Sequence, residues 1–141
     1  MRRRYAACAG FAGRRAYPAA MAIERQLSTI AGRGWFTTGG LARGEAVAVD
    51  VAALNHSCDP TLAWAADGER VVAFRDVDPG EELTLDYATG STDPEMVVRC
   101  HCETYRCRQL VTGDDWRIPQ VQRRYAGHLA PVVQRAVDAT A

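Results

Sequence analysis

The chain has 141 residues, of which 48% are hydrophobic, and this is enough for one domain with a single core. The 17 basic and 17 acidic residues give a formal net charge of zero, so no overall charge draws the chain to nucleic acid or to an anionic membrane. No apolar run approaches the roughly 18 residues of a membrane-spanning helix, so we expect no direct nucleic-acid or membrane partner.

An arginine- and alanine-rich stretch opens the chain over residues 1–20. Its apolar part is short and broken by glycine, so we interpret it as a flexible extension and not as a signal peptide. Three of the five cysteines lie within eight residues, and in a chain that is not secreted this clustering favours a metal site over disulfides. We therefore expect a cytoplasmic location.

Short alternating segments with glycine turns between them predict a chain built mainly of β-strands. The predicted strands cover residues 22–27, 35–37, 45–49, 61–65, 70–74 and 83–87. Turn-forming residues mark the connections at residues 32–34, 39–40, 43–44, 66–68 and 78–80. The turn at 66–68 joins the strands on either side of it into a predicted hairpin.

The C-terminal part of the chain is predicted to be irregular first and then helical. A polar loop follows Gly90 and leads to the cysteine cluster. Pro119 suits the first turn of a short helix that stops at Gly127, and Pro131 suits the start of a last helix. The chain lacks the alternation of strands and helices that nucleotide-binding α/β folds have. We therefore predict a mainly β, single small domain with short C-terminal helices.

The spacing Cys100-x-Cys102-x4-Cys107 offers three thiolates in one loop. Zinc prefers four tetrahedral ligands, with thiolate sulfurs at about 2.3 Å, so a fourth ligand must come from elsewhere. The candidates are Cys58, Cys8, His56 and His101. His101 lies between two ligands, where its ring would point away, and Cys8 lies in the flexible extension. We therefore assign Cys58, in the tight turn of residues 55–60, as the fourth ligand; the alternative is a set of buried free cysteines.

Other residues gain meaning only from their order along the chain. Alone, Asn55, His56 and Tyr87 are typical of turns, and Gly32-x-Gly34 lacks the context of a dinucleotide-binding fingerprint. In sequence, four segments closely resemble the SET domain followed by its post-SET tail. These segments are Gly32-Arg-Gly-Trp-Phe-Thr37, Leu54-Asn-His-Ser-Cys-Asp-Pro60, Arg75-Asp-Val-Asp-Pro-Gly-Glu-Glu-Leu-Thr-Leu-Asp-Tyr87 and Cys100-x-Cys102-x4-Cys107.

The resemblance covers about residues 23–112 and implies a pseudo-knotted β-clip fold, in which the segments of Asn55 and Tyr87 thread through each other. It divides the chain into a shortened SET core (21–98), a post-SET zinc segment (99–112) and a helical tail (113–141). The tail is similar to those of small bacterial SET proteins.

The resemblance also implies an S-adenosylmethionine site. Its methionine moiety would lie along the backbone of Gly32, Arg33, Gly34 and Trp35, where the missing glycine side chains permit close approach. Asn55 and the backbone of His56 match the positions that hold the amino group and the adenine. Cys58 matches the family's fourth zinc ligand.

The implied reaction is methyl transfer to a lysine of a protein or peptide substrate. Tyr87 matches the catalytic tyrosine, and Leu85 and Tyr87 match the walls of the lysine channel. All 17 basic residues are arginine, so the chain has no lysine side chain of its own to modify. A homodimer is compatible with this assignment.

Three departures from the family pattern bear on activity. Only residues 35–54 separate the glycine turn from Asn55, where the family has an insert that forms much of the peptide groove. Gln109 stands where glycine is common, and Leu85 replaces the usual aromatic residue. The alternatives to an active enzyme are a degenerate SET protein that binds cofactor or a partner without turnover, and a zinc-stabilised interaction module.

Overall fold

A computed structural model describes residues 23–141, and short strands dominate its first two thirds. The strands are β1 (Ile23–Leu27), β2 (Arg33–Thr37), β3 (Ala46–Val47), β4 (Asn55–His56), β5 (Leu62–Trp64), β6 (Val71–Ala73), β7 (Glu82–Leu85), β8 (Val97–Arg99) and β9 (Leu110–Thr112). The helices are α1 (Pro119–Arg124) and α2 (Pro131–Thr140). Cys8 and the flexible extension assigned to residues 1–20 lie outside the described residues.

A four-stranded sheet, in the order β1-β2-β7-β4, carries the segments with the sequence motifs. β1 and β2 are antiparallel, and β2 pairs with β7 in the same sense. β4 is parallel to β7, with Asn55 opposite Thr84 and His56 opposite Leu85. This parallel pair brings the Asn-His-Ser-Cys segment beside the strand that ends before Tyr87. The threading of the two segments through each other stays a prediction.

The second sheet contains three strands, in the order β3-β6-β5. Leu62 lies opposite Ala73 and Trp64 opposite Val71, so the hairpin predicted around residues 66–68 is confirmed. Apolar side chains of both sheets form one core, because alternate residues of each strand point inward. Its buried members are Leu41, Val47, Leu54, Leu62, Val71, Ala73, Val77, Leu83 and Leu85.

Several predicted strands are shorter than the sequence pattern indicates, and those expected over 61–65 and 70–74 are reduced to β5 and β6. The strand expected over 45–49 is only β3, and the strand expected over 83–87 ends at Leu85. The Asp86 side chain accepts a hydrogen bond from the Ala88 N–H, which turns the backbone into a 3-10 helix at Tyr87–Thr89. A short polar side chain thus ends the strand and fixes the backbone direction at Tyr87.

The β8–β9 ribbon was missed by the sequence analysis, which predicted only a loop around the cysteines. β8 pairs antiparallel with β9, and Val111 is buried against Cys58 and Cys100. Each strand has only three residues, too few for alternation to stand out from a loop. Gln109, the residue before β9, has φ +63°, a backbone region that favours glycine.

The C-terminal helices form a second apolar cluster against the 3-10 helix of Tyr87–Thr89. α1 begins at Pro119 as predicted but ends at Arg124, before Gly127, and α2 begins at Pro131. The buried members of this cluster are Ala88, Trp116, Val121, Tyr125, Leu129 and Val133. In the part of the chain that the structure describes, no helix has the length and apolar character needed to cross a membrane.

Candidate active site and metal centre

Four cysteine sulfurs converge at one point. The ligand atoms of Cys58, Cys100, Cys102 and Cys107 all lie within 4.8 Å of one another. The Cys58 and Cys100 sulfurs are 3.7 Å apart, close to the ~3.8 Å that a tetrahedral zinc with bonds of about 2.3 Å imposes on its ligands. The arrangement fits a structural zinc ion with a closed coordination shell. The structure therefore places Cys58 beside the other three cysteines.

Two parts of the fold supply these sulfurs. Cys58 follows β4, whereas the β8–β9 ribbon presents the loop that carries the other three cysteines. The Arg108 backbone N–H donates to the Cys58 sulfur at 3.3 Å. A metal bound here would therefore join the SET core to the ribbon, two segments that are more than 40 residues apart.

The protonation of the sulfurs depends on burial and on nearby donors. Burial raises the pKa of Cys58 to about 11 and raises that of Cys100 as well. Burial also opposes ionisation of Cys102, but hydrogen bonds from Thr104 lower the pKa of its thiol to about 6. A divalent cation binds thiolates, so metal binding here would release protons from the buried thiols.

The His56 side chain connects the metal centre to Tyr87. Its Nδ1 accepts the Tyr87 backbone N–H at 3.1 Å, and its Nε2 lies 3.2 Å from the Cys58 sulfur. Burial lowers the pKa of His56 to about 4, although Asp86 opposes the shift, so the ring is neutral at pH 7. With Nδ1 as an acceptor, the ring proton belongs on Nε2, where it donates to sulfur. The sequence analysis considered the His56 side chain only as a candidate zinc ligand and assigned the His56 backbone to the cofactor.

Asn55 and the glycine turn, which were predicted to bind the cofactor, meet near the start of β2. The Asn55 amide donates to the Ala31 carbonyl at 2.9 Å and the Arg33 carbonyl at 3.3 Å, so its segment contacts the glycine turn. Gly34 is buried, and its neighbour Trp35 is half-buried. The Arg33 side chain donates to the Arg25 carbonyl at 3.0 Å, whereas the Arg33 backbone carbonyl accepts from the Asn55 side chain.

Glu82 is a site residue that the sequence analysis missed. Its Oε1 accepts from the Asn55 amide at 2.8 Å, and its Oε2 accepts from the Ser28 hydroxyl at 2.8 Å. A side chain at Gly34 would place its Cβ 2.0 Å from Glu82 Oε1, so the carboxylate can hold this position only because residue 34 is glycine. The sequence feature that could have indicated Glu82 is the pair of glutamates after the Asp78-Pro79-Gly80 turn.

The acceptors around the Asn55 amide exceed the hydrogens that the amide can donate. The carbonyl oxygens of Ala31 and Arg33 and the carboxylate of Glu82 converge on one amide, which has only two hydrogens to share. A cationic amino group has three hydrogens and gains from a neighbouring carboxylate. Three acceptors around one point therefore suit an ammonium ligand.

Leu85 and Tyr87 line a second feature, an apolar cleft of about 280 Å³. Leu85 is buried, and the Tyr87 hydroxyl donates to the Leu54 carbonyl at 2.6 Å. Burial raises the pKa of Tyr87, so its hydroxyl keeps its proton at neutral pH. The other lining residues are Val51, Ala52, Trp64, Gly90, Ser91 and Met96. The cleft is apolar enough to hold the stem of a long side chain.

Asp86, next to Tyr87, is the centre of a buried ionic network that the sequence analysis did not find. The Arg108 guanidinium donates to both Asp86 oxygens, at 2.9 and 2.7 Å, and its Nε donates to Asp115 at 2.8 Å. The Tyr125 hydroxyl donates to Asp86 at 3.1 Å. A fully buried carboxylate requires such partners, since desolvation of an unpaired charge is costly. The network joins the SET core, the cysteine segment and the helical tail.

Comparison with known proteins points to one family. Residues 20–88 match the SET domain model. The histone-lysine N-methyltransferase ash1 of Drosophila melanogaster is 34% identical over 93 residues, which is 60% of this chain and 4% of that protein. The H3 lysine-9 specific enzyme dim-5 of Neurospora crassa is 35% identical over 75 residues, 39% of this chain and 23% of that protein. Human SMYD3, a histone-lysine N-methyltransferase, is 33% identical over 87 residues, 51% of this chain and 20% of that protein. The chain thus matches less than a quarter of each of these relatives.

Proposed function

We propose that the chain transfers a methyl group from S-adenosylmethionine to a lysine side chain of a protein, because residues 20–88 match the SET domain model. The observation that supports this proposal is the parallel pairing of β4 with β7. Asn55 on β4 donates to the Ala31 and Arg33 carbonyls, and the Tyr87 hydroxyl donates to the carbonyl of the preceding residue, Leu54. In that arrangement an acceptor-lined cofactor site and an apolar cleft share one strand pair.

Cofactor binding is assigned to residues of the glycine turn and β4. The Ala31 and Arg33 carbonyls, Asn55 and Glu82 would hold the amino group, with the chain from Gly34 to Trp35 and the His56 backbone along the rest of the molecule. When bound, S-adenosylmethionine supplies an electrophilic methyl group and a positively charged sulfonium. Because Gly34 has no side chain, the Glu82 carboxylate can lie against the backbone at this position.

The lysine amine must be neutral to attack, although free lysine has a pKa near 10.4. The apolar cleft beside Leu85 disfavours the ammonium form, because a charged group loses solvation there. The Tyr87 hydroxyl has its proton committed to the Leu54 carbonyl, so its oxygen is left as an acceptor. That oxygen would accept an N–H from the amine and aim the nitrogen lone pair along the transfer line.

A zinc ion held by Cys58, Cys100, Cys102 and Cys107 would have no chemical role in the transfer. Its function would be to fix the β8–β9 ribbon against the SET core, with Arg108 and His56 as donors to the Cys58 sulfur. Met96, which lines the lysine cleft, packs against this cysteine cluster. Metal binding would therefore support one wall of the cleft.

Calorimetry with S-adenosylhomocysteine and a turnover assay on a lysine peptide panel test the proposal in two steps. We expect S-adenosylhomocysteine to bind and at least one peptide to be methylated. Absence of binding would favour a zinc-stabilised interaction module. Binding without turnover on any peptide would favour a SET protein that has lost activity together with the insert normally found between the glycine turn and Asn55.

A further inference from the structure

A broad cleft of about 880 Å³ lies between the cysteine loop and α1. Apart from Cys58, its lining residues follow position 88 and so lie outside the part of the chain that matches the SET domain. The lining includes four arginines and no acidic residue: Arg106, Arg108, Arg123 and Arg124. Methyl transfer as described above uses none of the outward-facing arginines of this cleft.

Two of these arginines have unused hydrogen-bond donors. The Arg123 side chain is exposed and has neither a hydrogen bond nor an ion pair with any residue in 23–141. Arg106 comes no closer than 3.9 Å to Asp59, which is beyond hydrogen-bond distance. Its guanidinium lies 4.8 Å from the ring centroid of Tyr105, a side chain that is 84% exposed. Guanidinium groups with free donors bind carboxylates through two parallel hydrogen bonds.

The other two arginines are already committed to the fold. Arg108 is paired with Asp86 and Asp115. Arg124 is paired with Asp59 and donates to the Cys58 carbonyl at 3.1 Å. Zinc-bound thiolates would add negative charge here, and Arg108, whose backbone N–H contacts the Cys58 sulfur, is placed to offset it. Arg106 and Arg123 contact no ligand sulfur, and the 3.9 Å ion pair of Arg106 with Asp59 includes no hydrogen bond, so the donors of both side chains remain available to a partner.

We propose that this cleft binds an acidic segment of a partner protein, with Arg106 and Arg123 as the carboxylate-binding side chains. The cleft is concave and has apolar residues, Ile118 and Val121, between its arginines. A peptide offers both carboxylates and apolar side chains to such a surface, whereas a nucleic-acid backbone requires phosphate contacts along an extended basic face. A chain of zero net charge lacks such an overall field.

The cleft is close to the candidate active site. Cys58, in its wall, has its sulfur 3.2 Å from His56 Nε2, and the His56 ring lies 5.1 Å from the Tyr87 ring, centroid to centroid. A segment docked here would therefore lie near the residues assigned to methyl transfer. Binding of the segment does not require methyl transfer, so the test below is independent of the proposed activity.

Fluorescence anisotropy with two labelled probes tests the cleft directly. The full chain is titrated into fluorescein-labelled hexaglutamate and, separately, hexaglutamine. We expect hexaglutamate to bind at least tenfold more tightly than hexaglutamine. Arg123→Gln and Arg106→Gln should each weaken hexaglutamate binding at least threefold, and the double variant should remove the preference. Both side chains are exposed, so the variants should keep the native circular dichroism spectrum.

Arg135→Gln is the matched control, because Arg135 is exposed on α2 and does not line the cleft. The substitution removes one positive charge, as Arg106→Gln and Arg123→Gln do. It should leave hexaglutamate binding unchanged. An equal loss in Arg135→Gln and Arg123→Gln would overturn the proposal, since overall charge would then be responsible. The absence of a preference for hexaglutamate, or tighter binding of a labelled dodecathymidylate than of hexaglutamate, would also overturn it.

Discussion

The amide of Asn55 is shared between two backbone carbonyls and the Glu82 carboxylate, and this sharing defines the candidate cofactor site. Asn55 was expected from its motif, but Glu82 was not, because nothing in a strand pattern indicates where a half-buried carboxylate points. The close approach of Gly34 to Glu82 gives a physical reason for glycine at that position. Single side chains thus decide what can bind here.

Glu82→Gln should weaken S-adenosylhomocysteine binding about tenfold, because a charged acceptor for the ligand's amino group becomes a neutral one. Calorimetry measures the change. 5′-Methylthioadenosine, which lacks the amino-acid part of the ligand and therefore its α-amino group, is the control ligand and should bind the variant as it binds the wild type. An equal loss for both ligands would mean that Glu82 acts through the fold and not through the amino group.

Leu85→Tyr should shift the product toward monomethyl-lysine. Leu85 is buried beside the apolar cleft and leaves space for an amine that already carries a methyl group, so we expect the wild type to add more than one methyl group. A tyrosine hydroxyl there would hold water or the amine and reduce that space. Mass spectrometry of a methylated peptide checks this, and monomethyl product alone from the wild type at long times with excess cofactor would contradict it.

At the level of elements, two sets of contacts hold the β8–β9 ribbon and the helical tail to the rest of the fold. The four cysteines connect the ribbon to the segment after β4, and the ion pairs of Arg108 connect Asp86 to Asp115 in the tail. The cysteine spacing predicted a metal site, and the position of Cys58 in a tight turn identified the fourth candidate ligand. The Asp86–Arg108 pair escaped the sequence analysis because its partners are 22 residues apart and local periodicity carries no information about such a pairing. Loss of a cysteine ligand should lower the metal content, whereas loss of the Asp86–Arg108 pair should lower the stability of the fold.

Cys58→Ser should lower the zinc content of the purified chain as much as Cys102→Ser does, because each removes one of four convergent ligands. Atomic absorption on protein prepared with one equivalent of zinc gives the measurement. Cys8→Ser, a change outside the described residues, should leave the zinc content at one ion per chain. Full zinc affinity in Cys58→Ser would exclude Cys58 as a ligand.

Arg108→Lys should destabilise the fold by about 3 kcal/mol, since a single ammonium cannot satisfy both oxygens of the buried Asp86 together with Asp115. Urea unfolding followed by circular dichroism measures the loss. Arg117→Lys is the control, because its pair with Asp114 is exposed and pairs of this kind contribute at most about 1 kcal/mol. Equal stability of the two variants would show that the Asp86 network contributes little.

Across the whole molecule, the mainly β fold with its hairpin and two C-terminal helices followed from turn residues and alternation. The three-residue strands of the ribbon could not be predicted in this way. They are stabilised by pairing with each other and by burial of Val111 against the cysteines, and their local sequence contributes little. The candidate site divides in the same way. Motif residues such as Asn55 and Tyr87 were predictable, whereas Glu82, Arg108 and the His56 side chain become apparent only through contacts between distant segments.

The central claim, methyl transfer to protein lysine, is tested most directly by incubating the zinc-loaded chain with labelled S-adenosylmethionine and lysate proteins. Because the chain contains no lysine, methyl-lysine labelled above the level of a lysate without the chain reports methylation of a lysate protein and not of the chain itself. We predict labelled methyl-lysine with the wild type and its loss by at least tenfold in Tyr87→Phe, with S-adenosylhomocysteine affinity unchanged. Equal labelling by wild type and Tyr87→Phe, or no methyl-lysine from a chain that binds S-adenosylhomocysteine, would contradict the account.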